Sequence, residues 1–183
     1  MPVQFLKKIE NIKDYIPLIK KESCIAIIPA RAGSKSIKNK NIKDLNGIPL
    51  LAHSIRHALN SKFISDVYVS SDSSNILEIA SKFGAKMVLR PKELSNDFIH
   101  PEPAIIHFLL EFVKREKYLP ECTVLLQPTS PIRDIDKIDS SIKDIFSGQY
   151  NSSIAATKAH HFIWEKDESN NWISPYGESR PRR

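Results

Sequence analysis

The stretch CIAIIPARAGSKSIKNKNI at residues 24–42 decides the fold that we expect for this chain. Residues 24–28 form a short apolar run rich in isoleucine, which is typical of a buried strand in a parallel sheet. Directly after this run, the chain enters a loop that concentrates cationic and amide side chains around Gly33. Because ligands of open α/β sheets bind at the carboxyl ends of the strands, the loop predicts an anion site.

The residue types in this loop suit a polyphosphate. Arg31 offers a planar fork that can bind two phosphate oxygens, whereas Lys35 and Lys40 act as point charges. Gly33 allows the backbone to approach an anion closely, and Ser34 adds a hydroxyl group. An ordinary solvated basic loop is the alternative at this point.

Two common phosphate-binding signatures are missing from the stretch. A Walker A loop would require glycine at the positions of Pro29 and Ser34, ahead of Lys35. The GxGxxG fingerprint of dinucleotide-binding folds does not occur in the chain. The pattern therefore excludes both an ATPase P-loop and a dinucleotide site of that type.

Composition and charge narrow the class of protein. The chain has 183 residues, of which 41% are hydrophobic and 26% charged, as in one globular domain. Its net charge of +6 is concentrated at residues 31–43 and 180–183, without a helix-turn-helix, zinc-finger or base-stacking pattern, which favours a small anion over nucleic acid. With no long apolar run and no signal-peptide pattern, we expect a cytoplasmic protein that does not enter a membrane.

The alternation of apolar runs predicts the secondary structure. Strands separated by helices at short intervals indicate a parallel sheet with right-handed crossovers. The predicted strands are at residues 24–28, 66–70, 86–89, 122–126 and 153–157, and the predicted helices at residues 5–19, 49–60, 75–83, 102–118 and 134–146. In the fourth helix we expect inward-facing side chains at Ile105, Ile106, Leu109, Leu110 and Val113. Beyond Lys158 we expect a hairpin or an extended arm.

The cysteines and histidines are interpreted as structural. Cys24 and Cys122 lie in apolar, strand-like runs, so we expect buried reduced thiols rather than a disulfide or a metal pair. His53 and His57 are four residues apart on a predicted helix, a spacing that could bind a metal. Without an acidic or cysteine companion on that helix, we favour packing or surface roles for both.

Three motifs follow one another along the chain: IPARAGSK at 28–35 with Lys40 and Asn41, LLQPTSPIR at 125–133, and HFIW at 161–164 ahead of RPRR at 180–183. Together they resemble the motifs of the CMP-sialic acid synthetases, the acylneuraminate cytidylyltransferases. The resemblance runs from about residue 24 to the last residue. It implies a Rossmann-like, nucleotide-diphospho-sugar transferase fold, an α/β fold with a mainly parallel sheet, a C-terminal dimerisation arm and a homodimer. We place an amphipathic helical extension at residues 1–22 and the cytidylyltransferase domain at residues 23–183.

The resemblance also implies a reaction. The anomeric hydroxyl of a nonulosonic acid attacks the α-phosphate of CTP, and a CMP-sugar and pyrophosphate are formed. By the resemblance, the residues that bind substrate are Arg31, Ser34, Lys40, Asn41, Arg90 and Gln127, and those assigned to catalysis are Arg180 and Lys35. From its chemistry, Arg180 can only stabilise charge, because an arginine does not act as a base at neutral pH.

Members of the resembled family use Mg²⁺, yet no ligand for it is identified here. The paired aspartates of the family lie beyond the RPRR segment, and Asp72 and Asp97 remain candidates only by elimination. Asp72 is interpreted as a helix cap. Where many relatives carry serine or threonine after Asp97, this chain has Phe98 and Ile99. We therefore expect a C-terminally shortened form that binds CTP with weak or no turnover.

Other functions remain open from the sequence. One is a nucleotide-binding remnant of this family without turnover, and another is a CMP-3-deoxy-octulosonate-type synthetase. The third is a basic nucleic-acid-binding domain. The acceptor could be a neuraminic, legionaminic or pseudaminic acid, and the sequence does not distinguish among them.

Overall fold

The structure, a computed structural model, describes residues 12–34, 37–95, 102–156 and 164–173. The chain divides into two compact units, Met1–Asn151 and Ser152–Arg183. In chain order, the elements of the first unit are β1 (Ile19–Pro29), β2 (Asp44–Leu45), β3 (Ile48–Pro49), α1 (Leu50–Leu59), β4 (Ile64–Ser71), α2 (Ser74–Lys82), β5 (Lys86–Leu89), α3 (Glu102–Glu116), β6 (Leu119–Leu125) and α4 (Ile135–Phe146), with 3-10 helices at Ile12–Leu18, Lys40–Ile42 and Lys92–Ser95.

Four strands of the first unit form one parallel sheet in the order β5-β4-β1-β6. The chain moves outward from β1 to β4 and β5, and then returns to the other side of β1 to form β6. The strand order therefore reverses at β1, which is the place where ligands bind in open α/β sheets. The predicted parallel α/β architecture is confirmed.

Strand β1 lies at the centre because both of its faces are apolar. Ala26 and Ile28 pack into one core cluster with α1 and α2, whereas Ile25 and Ile27 pack into a second cluster with α3. All four side chains are fully buried. Alternate residues of a strand point to opposite faces, so a continuous apolar run requires helices on both sides of the sheet.

The start of β1 differs from the prediction. The strand begins at Ile19, where exposed residues pair with Leu119 and Pro120 at the start of β6. Immediately before it, Ile12–Leu18 is a 3-10 helix that contains Pro17, in place of the end of the predicted helix at residues 5–19. Proline removes a backbone donor and crowds the preceding turn, which shortens regular helices. Residues 5–11 lie outside the described residues, and the division of the chain after residue 22 remains a prediction.

Helix α3 buries a different set of residues from the one predicted, although Ile105 and Leu109 of the predicted set pack against the core cluster. Its buried residues are Ala104, His107, Phe108 and Phe112, while the predicted Ile105, Ile106, Leu109, Leu110 and Val113 are half-buried. The reason is an aromatic cluster beneath the helix. The Tyr68 and Phe108 ring centroids are 5.0 Å apart, and Phe112 lies 5.2 Å from Tyr118. Aromatic rings bury the largest apolar area, so they turn the helix toward themselves.

The last predicted strand is not present in its described part. Residues 153–156 belong to no strand and are exposed, with Ile154 90% accessible, and Thr157 lies outside the described residues. Within the described residues, β6 is therefore an outer strand of the sheet. In the second unit, β7 (Glu165–Lys166) pairs antiparallel with β8 (Trp172–Ile173), in line with the predicted hairpin. No helix among the described residues has the length and apolar character needed to cross a membrane.

The histidines of α1 both contact protein groups. His53 Nε2 lies 2.8 Å from the carbonyl oxygen of Leu45, on the β2–β3 hairpin. His57 Nδ1 is buried without a hydrogen-bond partner. Burial, together with the positive charge of Arg133, lowers the pKa of His57 below its ordinary value of 6.5. The contact of His53 with the hairpin and the burial of His57 Nδ1 support the predicted packing roles.

We predict that Phe108→Ala lowers the free energy of unfolding by about 3–5 kcal/mol, since it leaves a cavity among buried aromatic rings. Chemical denaturation measures the effect. The matched control is Ile132→Ala, because Ile132 is 93% exposed and its truncation opens no cavity. Equal losses in the two variants would contradict the packing described for α3.

We predict that His57 makes stability depend on pH. Its pKa is lower in the folded protein, so the unfolded chain binds a proton more readily. The free energy of unfolding should therefore fall as the pH drops through 6.5, and fall less in His57→Gln. Denaturation at a series of pH values tests this, and parallel curves for the two proteins would contradict it.

Candidate functional site

The carboxyl ends of the parallel strands bring four polar side chains to one edge of the sheet. In lateral order along that edge, the residues that follow β5, β4, β1 and β6 are Arg90, Asp72, Arg31 and Gln127. Neighbouring strands lie about 4.7–4.9 Å apart, so side chains from adjacent strands are within reach of one another. The sequence predicts this meeting of Arg31, Arg90 and Gln127, because all three follow strand-like runs.

Backbone hydrogen bonds continue past the strand ends and fix where these side chains start. The bonds are Ala30 N to Ser70 O at 2.9 Å, Arg90 N to Ser71 O at 2.9 Å, and Leu126 N to Ile27 O at 3.0 Å. Each bond joins a residue next to the site to the neighbouring strand. The rigid sheet therefore positions the site residues as far as the first residue beyond each strand.

Asp72 anchors the cationic loop. The backbone N–H of Ala32 donates to Asp72 Oδ1 at 3.0 Å, which ties the loop after β1 to the end of β4. The negative charge of Asp72 also acts on Arg90, where it partly opposes the lowering of the pKa by burial. The predicted capping role of Asp72 is wrong, because the side chain that caps α2 is Ser73, which accepts from the backbone N–H of Ile76.

Asn41 braces the same loop from its other side. Its side chain is buried, and Nδ2 donates to the carbonyl oxygen of Arg31 at 2.9 Å. Asn41 is held by the 3-10 helix that begins at half-buried Lys40, after Asn39 in the left-handed region at φ 55°. Two side chains, Asp72 and Asn41, thus hold the N–H and the carbonyl oxygen of one peptide group, the one that joins Arg31 to Ala32.

The loop itself leaves open space. Arg31 and Ser34 are half-buried, while Gly33 is exposed. A Cβ atom on Gly33 would meet nothing within 4 Å, and its φ lies outside the left-handed region. The packing of the described residues therefore does not demand glycine here, and the open surface above Gly33 leaves room for a ligand.

Arg90 is the buried cation of the site. Its side chain is 6% exposed, and Nε donates to Ser95 Oγ at 2.8 Å. Burial lowers the pKa of Arg90, the carboxylate of Asp72 opposes that effect, and the positive charge of Arg31 adds to it. Because arginine stays protonated even so, two guanidinium groups face one carboxylate at this edge. An arriving anion would offset the repulsion between them.

Gln127 stands at the end of β6 with an exposed side chain. The backbone carbonyl oxygen of Gln127 accepts hydrogen bonds from Arg133 Nη2 and from the backbone N–H of Ser130. Arg133 Nη1 also donates to Ser54 Oγ on α1 at 2.9 Å, and burial lowers the pKa of Arg133. Arg133 was not among the predicted site residues, although it ends the LLQPTSPIR motif and comes two residues before α4.

The remaining predicted site residues lie outside the described residues. They are Lys35 and Arg180, as well as Asp97, Phe98 and Ile99 of the loop after β5. Their roles stay predictions. A groove of about 340 Å³ occurs elsewhere, between β5 and α3, and is lined by residues such as Met87, Phe108 and Arg115. It lies on the outer side of β5 and not among the four side chains at the strand ends.

The chain is similar in sequence to several curated cytidylyltransferases and synthases. Curated relatives include N-acylneuraminate cytidylyltransferase from Escherichia coli O18:K1:H7, 43% identical over 65% of this chain and 27% of its own length. Pseudaminic acid cytidylyltransferase from Campylobacter jejuni is 36% identical over 76% of this chain and 60% of its own length. CMP-N,N'-diacetyllegionaminic acid synthase from Legionella pneumophila is 38% identical over 65% of this chain and 51% of its own length. This chain thus spans 27–60% of the length of these relatives.

Solved structures support the fold. A CMP:2-keto-3-deoxy-manno-octonic acid synthetase complexed with CTP matches with a TM-score of 0.57 and 20% identity, over 69% of this chain and 48% of that one. A 4-diphosphocytidyl-2C-methyl-D-erythritol synthase matches with a TM-score of 0.63 and 10% identity, over 86% of this chain and 71% of that one. At these identities the likeness concerns the fold.

A family model decides the assignment. The model described as "Cytidylyltransferase" matches residues 25–168, from the first buried residues of β1 to the turn between β7 and β8. That range contains the loop after β1, the ends of β4, β5 and β6, and every described side chain of the site. The chain belongs to the cytidylyltransferase family.

Proposed function

We propose that the protein is a nucleotidyltransferase that activates a nonulosonic, sialic-type acid with CTP and releases pyrophosphate. The observation that carries the proposal is the pair of guanidinium groups, Arg31 and Arg90, beside Asp72 at the carboxyl edge of the sheet. The named activities of the relatives, on acylneuraminic, pseudaminic and legionaminic acids, support the substrate class.

In the proposed reaction, the anomeric hydroxyl oxygen of the sugar acid attacks the α-phosphorus of CTP. A new phosphorus–oxygen bond forms while the bond between the α-phosphorus and the bridging oxygen breaks. The proton of the hydroxyl passes to solvent, and pyrophosphate leaves with the negative charge. Phosphoryl-type transfer is promoted mainly by positioning and by neutralising charge on the phosphate oxygens. Arg31 can bind two phosphate oxygens with its planar fork, and Arg90 supplies a second positive charge two strands away, beyond Asp72.

Gln127 is proposed to orient the nucleotide or the sugar. Its exposed amide both donates and accepts hydrogen bonds, and Arg133 fixes the backbone from which it projects. Lys40, Ser34 and Asn41 are proposed to complete the substrate contacts of the loop. Asn41 then has a double role, because its Nδ2 already donates to Arg31 while its oxygen remains an acceptor.

Lys35 and Arg180 stay in the proposal by resemblance alone. Lys35 follows Ser34 directly in the cationic loop, so a role in charge neutralisation is consistent with the position of its neighbour. Arg180 would stabilise charge late in the reaction. We also propose a homodimer, with the exposed β7–β8 hairpin as the dimerisation arm, and a cytoplasmic location.

Magnesium is proposed as the cofactor by resemblance, without assigned ligands. Among the described residues, no group of three or more histidine, cysteine, aspartate or glutamate side chains could hold a metal ion. Oδ1 of Asp72 already accepts a hydrogen bond from the backbone N–H of Ala32. The described part of the chain therefore does not fit a metal site built from protein ligands, and the mechanism above rests on the cationic groups.

We predict that Arg31→Ala weakens CTP binding about tenfold to hundredfold, because charge-assisted hydrogen bonds to phosphate are lost. Arg31→Lys should lie in between, since it keeps the charge and loses the fork. Titration calorimetry with CTP measures both. The control is Lys114→Ala, which removes one positive charge from the end of α3. Unchanged affinity in Arg31→Ala, or an equal loss in the control, would contradict the proposed site.

We predict that Asp72→Ala and Asp72→Asn differ in CTP affinity. Alanine removes the acceptor for Ala32 N–H and releases the loop, so binding should weaken about tenfold. Asparagine keeps an oxygen acceptor and removes a charge that repels phosphate, so its affinity should equal or exceed that of the wild type. The same calorimetric titration compares them. If Asp72→Asn binds CTP as weakly as Asp72→Ala does, the charge of Asp72 matters more than its hydrogen bond.

A further inference from the structure

Two thiols face each other across neighbouring strands, away from the site described above. Cys24 of β1 and Cys122 of β6 are directly paired in the parallel register. Neighbouring strands are about 4.7–4.9 Å apart, and disulfides join residues whose Cα atoms are about 4.4–6.8 Å apart. The backbone separation therefore lies within the range that a disulfide needs.

Both side chains point to the same face of the sheet. Residues two apart on a strand share a face, so Cys24 lies on the side of Ala26, and Cys122 on the side of Val124. Ala26 and Val124 belong to the same core cluster, the one that contains α1 and α2. The two thiols are close enough that each has the largest influence on the pKa of the other. Both cysteines are reduced in the structure.

The two thiols differ in access and in acidity. Cys24 is fully buried, while Cys122 is half-buried on the outer strand. The interaction between them raises the pKa of Cys24, as does its burial, and lowers the pKa of Cys122. Since the thiolate is the reactive form of cysteine, Cys122 is the group that an oxidant meets first, and Cys24 is placed to react with it afterwards.

We infer that Cys24 and Cys122 are an oxidation site, at which a hydroperoxide converts the paired thiols into a disulfide between β1 and β6. The Cys122 thiolate attacks the peroxide oxygen, a sulfur–oxygen bond forms, the oxygen–oxygen bond breaks, and the leaving oxygen takes a proton. The sulfur of Cys24 then attacks the Cys122 sulfenic acid. The sulfur–sulfur bond forms, the sulfur–oxygen bond breaks, and water leaves with the proton of Cys24. With hydrogen peroxide, two thiols and one peroxide give one disulfide and two waters.

The disulfide would connect the central strand to its outer neighbour. It closes a long loop between Cys24 and Cys122, so it restricts the unfolded chain and slows the separation of β6 from the sheet. Cys24 lies five residues before the carboxyl end of β1. The bond would therefore form well inside the sheet, and we expect CTP affinity to stay within twofold of the reduced protein. The inference does not depend on the proposed function.

The test treats the reduced 183-residue protein with hydrogen peroxide and then blocks free thiols under denaturing conditions. Because the chain has two cysteines, digestion without reductant and mass analysis identify every product. We expect a linked peptide pair containing Cys24 and Cys122, a mass lower by about 2 Da, and a higher melting temperature that reductant reverses.

Single-cysteine variants separate the two steps. Cys24→Ser should stop at a sulfenic acid on Cys122 that dimedone labels, whereas Cys122→Ser should stay reduced because Cys24 is buried. Oxidation should not raise the melting temperature of either variant. If Cys24→Ser does not fold, Cys24→Ala provides the same measurement in an apolar site. Disulfides only between chains, sulfinic acid without a linked peptide, or thiols that resist peroxide in the folded protein would each overturn the inference.

Discussion

The structure depends on the burial of β1 on both faces. Once Ile25 to Ile28 are removed from water on both sides, their backbone groups must find hydrogen bonds within the sheet, and β4 and β6 supply them on either side. Helices then have to cover both faces, as α1, α2 and α3 do. The end of β1 is the place where the chain emerges from this core, so the loop from Arg31 onward starts from a rigid base.

The electrostatics of the site follow from that base. Arg90 is buried next to a second guanidinium, an arrangement that costs free energy unless a negative charge is near. Asp72 provides one such charge and at the same time accepts a hydrogen bond from the loop of Arg31. A single carboxylate therefore reduces the repulsion between two arginines and fixes the backbone that carries one of them. A site prepared in this way loses little entropy when a phosphate chain arrives.

How much could be predicted depended on whether a feature is local. The apolar run of β1 and the strand Lys86–Leu89 are set by residue types within a few positions, and the sequence predicted both. The side of α3 that faces the sheet depends on Tyr68, which is distant in the sequence. The apolar periodicity of α3 alone therefore predicted the wrong set of buried residues. Asp72 was misassigned for the same reason: its partner Ala32 is 40 residues away, whereas its position two residues before α2 favours a local cap. Knowing that β4 pairs with β1 would have placed Asp72 beside the loop.

The position of β6 connects the chemistry of the site with that of the cysteines. As an outer strand among the described residues, β6 is covered less well than β1, and most of its residues are half-buried. This partial cover leaves Gln127 exposed just beyond its end, where a substrate can reach it, and leaves Cys122 half-buried at its middle. The paired residue Cys24 has no such access because β1 is central. One topological fact, the place of a strand in the sheet order, thus produces both an accessible amide and an asymmetric pair of thiols.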